Sequence, residues 1–143
     1  MKVNQISVFL ENKSGRLADL TRTLANNKIN IRALCIAETI DYGVLRLIVN
    51  DPDAARRALT GAGFTVTSTE VLVVEMPDRP GGLAEVVETL AGEAINIEYI
   101  YAFVARSGEN AFVVFRLEQM ERAIAALQAR GIRILGSNEV YTI

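Results

Sequence analysis

Asn12-Lys13-Ser14-Gly15-Arg16-Leu17-Ala18 and, 66 positions later, Asp78-Arg79-Pro80-Gly81-Gly82-Leu83-Ala84 are two versions of one motif. Outward from it, Thr23-Leu24-Ala25 recurs as Thr89-Leu90-Ala91, and Ile29-Asn30-Ile31 recurs as Ile95-Asn96-Ile97, at the same offset. Between Glu11 and Ile36 this offset gives nine identities in 26 positions, too many for chance turn chemistry. Further on, Leu59, Gly63, Phe64 and Val66 meet Leu127, Gly131, Ile132 and Ile134 at an offset of 68. The two extra residues fall where Ser107-Gly108-Glu109-Asn110 lengthens the turn made by Asp41-Tyr42-Gly43, and turns tolerate insertion. The chain is therefore an internal duplication, with repeat 1 at 1–70 and repeat 2 at 71–143.

Each repeat reads as β-α-β-β-α-β. Val3 to Leu10 alternates and is rich in β-formers. Leu17, Leu20 and Leu24 then fall at helical spacing, as do Leu83, Val86, Val87 and Leu90 in the second copy. Asn30 to Glu38 and Val44 to Val49 are two strands around a turn. Asp51-Pro52 opens a helix, with Asp as N-cap and Pro at the first helical position. Ala55, Ala58, Leu59 and Ala62 line its apolar face, Gly63 ends it, and Phe64 to Thr67 is the last strand. Each helix has a single apolar stripe, so both cover one face of a four-stranded antiparallel sheet. The expected class is α+β: two ferredoxin-like units with antiparallel sheets and helices on one face. Val44 to Val49 is apolar on both faces apart from Arg46, which predicts that the other copy or another chain covers the open face. Glu70-Val71-Leu72-Val73-Val74 runs into the second copy without a Gly/Ser or Pro-rich linker.

Composition narrows the chemistry. In 143 residues half are apolar and 22% charged, a globular mix. There is no His and one Cys, Cys35, so zinc and haem sites of the usual kinds, Ser–His–Asp or Cys–His catalysis, and an intramolecular disulfide are not expected. No cofactor or metal is expected. A net charge of −2 argues against nucleic acid as a partner. The longest apolar run, Tyr99 to Ala105, is far short of the about 20 residues of a membrane helix. The N-terminus does not read as a signal peptide, and a cytoplasmic protein is expected.

The duplicated loop is the strongest chemical signal. Each copy stands between a strand and a helix N-terminus, where free N–H groups and a partial positive charge suit a carboxylate or phosphate. Eighteen residues after Asn12 comes Asn30, and eighteen after Asp78 comes Asn96, each placed to bond the other end of a small zwitterion. The bland account of the same residues is ordinary turn chemistry. The stripe Tyr99, Tyr101 and Phe103 stands where copy one has Ala33, Cys35 and Ala37, which fits large-against-small packing or one walled and one roomy pocket.

Loop, helix and Ile-Asn-Ile within a β-α-β-β-α-β unit of this size resemble the ACT domain, with Pro80-Gly81-Gly82-Leu83, Asn30 and Asn96 its most recognisable marks. The resemblance covers the chain as two tandem copies. It implies a regulatory module that binds a small ligand, most often an amino acid, at interfaces between paired ACT units. Members that bind serine use an Asn in the first loop and another opening the next strand, matching Asn12 and Asn30, and Asp78 and Asn96. They also carry a His two residues before the loop Asn, where Leu10 and Met76 stand here. With Asp78 in place of an amide, these departures argue against serine itself and for two non-equivalent sites. The implied ligand contacts are Asn12, Lys13, Ser14, Gly15, Arg16, Leu17, Asn30 and Ile31 in one copy. In the other they are Asp78, Pro80, Gly81, Gly82, Leu83, Asn96 and Ile97. The expected partners are an amino acid, a second copy in a homodimer, and a regulated enzyme reached in trans.

Three rivals remain. A ligand-free assembly module needs only the apolar sheet faces. An RNA-binding sheet shares the element order, but Gly108, Glu109 and Asn110 replace the basic residue, Gly and stacking aromatic before Ala111-Phe112-Val113-Val114-Phe115. Catalysis lacks a loop pairing nucleophile with base; Asp51, Asp53, Glu118 and Glu121 read as helix-start acids, and Arg16 as a solvated side chain.

Overall fold

The computed structural model describes residues 1–38, 41–104 and 108–143. Ser107, in the lengthened turn, lies outside them. The elements run β1 (Val3–Glu11), α1 (Arg16–Asn26), β2 (Ile31–Glu38), β3 (Tyr42–Val49), α2 (Pro52–Gly61), β4 (Thr65–Pro77), α3 (Gly82–Gly92), β5 (Ile97–Ala102), β6 (Asn110–Leu117), α4 (Met120–Ala129), β7 (Arg133–Ile134) and α5 (Ser137–Thr142). This is an α+β fold of tandem ferredoxin-like units.

The chain forms two compact units. One holds Asn4–Thr69 with Tyr141–Ile143, the other Glu70–Val140 with Met1–Val3. In the first, the strand order is β2-β3-β1-β4, with β3 antiparallel to both β1 and β2. In the second, β5-β6-β4 continues to β7. The last strand of repeat 1 and the first of repeat 2 are one unbroken strand, the 13-residue β4. The second repeat's closing strand is only two residues long.

Helix burial follows the stripes with two departures: Ala62, read as part of the α2 stripe, is exposed because it is the C-cap residue at the end of the helix, and the first leucine of α1 and of α3 is only partly covered. Leu20 and Leu24 of α1, and Val86 and Leu90 of α3, enter the two cores with Ile6, Val8 and Leu47, and with Leu72, Val74 and Phe115, respectively. Leu17 and Leu83, read from sequence as the start of each stripe, are 39% and 41% exposed. Both sit in the first helical turn and are only partly covered; Leu17 borders a cleft it shares with Leu10, Ile36 and Gly43. In α2, Asp51 accepts from the Ala54 N–H at 3.1 Å, with Pro52 at the first helical position. Glu118 and Glu121 do not cap α4: Glu118 accepts from Asn96, and Glu121 pairs with Lys2 at 2.6 Å. Helix α5 was not anticipated. The Glu139 carboxylate accepts from the Gly136 N–H at 3.2 Å, half of a capping box that starts a helix too short to show a stripe. Its last residues tie to the first unit, where the Tyr141 hydroxyl accepts from the Asn4 N–H and its carbonyl from Arg32.

On the face away from the helices, Tyr99 and Tyr101 stack with ring centres 6.4 Å apart, Phe103 meets Phe112 edge-on, and Tyr101 is buried. Cys35 is half-buried, and that burial raises its thiol pKa, so it is a packing residue and not a thiolate.

Candidate functional site

Both loops are built alike. Gly15 and Gly81 precede the helices with φ of 90° and 89°, a left-handed conformation that a side chain disfavours. Asn12 and Asp78 are pinned from the neighbouring turn, their N–H groups donating to the carbonyls of Asp41 and Glu109 at 3.0 and 2.9 Å. The Gly15 and Gly81 carbonyls accept from the N–H of Asp19 and Glu85.

In the first unit this loop borders a cleft of about 160 Å³. Asn12, Lys13 and Leu17 of the expected set line it, together with Leu10, Glu11, Ile36 and Gly43. Lys13 pairs with Glu11 at 2.9 Å and holds that carboxyl below its ordinary pKa. The exposure of Leu17 and Ile36 gives the cleft an apolar wall. Arg16 turns elsewhere: its guanidinium lies 4.6 Å from the centre of the Phe64 ring, with its buried Nε unbonded, and is not the solvated side chain expected.

Asn30 and Ile31 do not join this cleft. The Asn30 N–H bonds the Asn50 side chain, and Asn50 returns a bond to its carbonyl, beyond the far end of β3. Eight residues of β3 separate that end from Asn12, roughly 25 Å at about 3.3 Å per residue. The second unit repeats this: Asp78 sits by Glu109, while Asn96 donates to Glu118 past the opposite end of β6. One unit alone therefore cannot place both residues of either pair on one small ligand.

The second unit has a larger cavity, about 340 Å³, on the helix side of its loop. Of the expected residues only Gly82 lines it. The rest of its wall includes Arg79, Glu85, Arg130 and Arg133, none of them among the expected ligand contacts. Gly82 is required where it stands, since a Cβ there would lie 2.1 Å from the Pro77 carbonyl oxygen. Repeat alignment carries the signal that was missed: Gly82 matches Arg16, Ile132 matches Phe64, and Arg130 and Arg133 match Ala62 and Thr65. Arg133 bonds Glu75 at 2.7 Å and also pairs with Glu139. That guanidinium, with Asn110 donating at 3.1 Å, holds the Glu75 carboxyl below its ordinary pKa.

Among the described residues no cluster of three or more His, Cys, Asp or Glu could hold a metal, and no helix is long and apolar enough to cross a membrane. No curated protein matches the sequence. Among solved structures, a protein of Bacteroides thetaiotaomicron is 42% identical, with a TM-score of 0.94 over 100% of this chain and 98% of its own. The regulatory subunit of aspartate kinase from Thermus thermophilus shares the fold at 20% identity and a TM-score of 0.64, over 88% of this chain and 91% of its own. Its Thermus flavus counterpart matches at 20% and 0.63, over 88% of both chains. The family model of the ACT domain pair matches residues 1–142, and the chain belongs to that family.

Proposed function

We propose that this ACT domain pair is a regulatory module that binds an amino acid at the Asn12–Leu17 loop and acts on a partner enzyme in trans. The observation that carries the reading is the cleft bordered by Asn12, Lys13 and Leu17. Backbone and side-chain polar groups, a cation and an apolar wall meet there, the mixture a zwitterion with a side chain needs. Family membership and the fold shared with regulatory subunits of aspartate kinase support the regulatory role.

The size of the cleft says how it is completed. About 160 Å³ is half the lower range of small-molecule pockets, about 300 Å³, so a second surface must close it. An ACT unit of a partner chain, offering its Asn30 end, supplies that surface and the second asparagine. A ligand held this way favours one packing of the paired units by its differential affinity for the two states. By the same logic Asp78, Pro80, Gly81, Leu83, Asn96 and Ile97 form the weaker, non-equivalent counterpart.

A thermal-shift screen of the twenty amino acids and short carboxylates tests this. At 100 times Kd a ligand adds about 2.7 kcal/mol, a clear rise in Tm. Both Asn12→Ala and Asn30→Ala should abolish the shift. A shift that survives both removes the loop as the site. No shift with any amino acid leaves the repeat as an assembly surface.

A further inference from the structure

The cavity of the second unit carries charged groups that find no partner among the described residues. Arg133 and Glu75 satisfy each other. Arg79, Arg130 and Glu85 line the same 340 Å³, and among the described residues their side chains make no hydrogen bond or ion pair. The volume falls within the range that encloses a small metabolite, about 300–1,000 Å³. In the first unit the Arg16 side chain lies over Phe64, at the positions that Gly82 and Ile132 occupy here. Arg130 stands where the first repeat has Ala62. A side chain has thus been lost and a cation gained around one void.

We propose that this cavity is a second, independent ligand site, and that it takes an acidic amino acid. Two free guanidiniums, Arg79 and Arg130, match two carboxylates. One free carboxylate, Glu85, matches one ammonium group and opposes a ligand that is only anionic. The site shares no residue with the Asn12 loop, so it stands whether or not that loop binds a ligand.

Calorimetry on the full chain tests it, with L-aspartate, L-glutamate, succinate and inorganic phosphate as probes. One of the two amino acids should bind, and succinate about tenfold more weakly. Arg130→Ala should weaken the amino acid about tenfold or more, the usual scale for a charge-assisted bond. Glu85→Gln should weaken the amino acid yet strengthen succinate, a crossing that mere loss of structure does not produce. Arg130 and Glu85 are exposed and unpartnered, so both variants should fold, with unchanged Tm as the control. Asn12→Ala should leave this binding intact, separating its failure from failure of the loop reading. Absence of binding by both amino acids, binding indifferent to Arg130→Ala, or binding of succinate or phosphate as tight as that of the amino acids would each overturn the assignment.

Discussion

The two repeats solve one construction problem twice and finish it differently. Both set a left-handed glycine before a helix, and both bury Leu24 or its counterpart Leu90. After that glycine the first repeat places an arginine that folds back over Phe64, and the second a glycine pressed against the Pro77 carbonyl. In the first the Arg16 guanidinium covers that ring; in the second the matching positions border a charged cavity. Duplication preserved what the backbone needs and released what the side chains do. The buried identities Leu24 and Leu90 thus report on the fold, and the differences at Arg16/Gly82 and Ala62/Arg130 report on what the two units leave open.

The strongest test of that division is the shared core. Leu24→Ala and Leu90→Ala should each cost about 2–5 kcal/mol in denaturant unfolding, and by similar amounts, since both are fully buried. Markedly unequal costs would break the equivalence of the cores. Gly82→Ala comes next, at about 2–4 kcal/mol, because its Cβ would collide with backbone. Gly15→Ala has open space around it and should cost only the left-handed strain, about 1–2 kcal/mol. Equal losses in the two would mean that the clash relaxes. Arg16→Ala should cost about 1 kcal/mol, the ring contact of a partly exposed cation, and gives the first unit the void that the second already has.

The smallest effect is electrostatic. Glu75 is held below its ordinary pKa in the folded state by Arg133 and then Asn110, so its stabilisation is present above the unfolded carboxylate pKa, about 4.3, and is lost as pH falls through the folded value. Glu75→Gln should therefore lower stability by under about 1 kcal/mol near neutrality and by progressively less as the pH falls below the unfolded carboxylate value. A difference that persists in acid would mean that Glu75 acts through packing.

The duplicated elements were legible because their rules are local. Asp51-Pro52 announces a helix and Gly15 a turn with no knowledge of the rest of the chain. Leu17 and Leu83 misled because periodicity gives a residue's angle around the helix but not how much of a first-turn side chain the rest of the unit covers. Helix α5 rests on a single Glu139 bond to Gly136, and the two-residue β7 gives no alternation to read. Asn12 and Asn30 suggested one site because the pair recurs at the same eighteen-residue spacing as Asp78 and Asn96. Antiparallel register makes it the full length of a strand. The cavity at Gly82 is recorded in the sequence as a mismatch between copies, which a search for repeats by their identities does not reveal.

The first three residues belong to the second unit and the last three to the first. No single cut of the chain, at residue 70 or elsewhere, releases either unit whole. A gene fragment coding for one repeat would make a protein missing a tether that only the other half encodes.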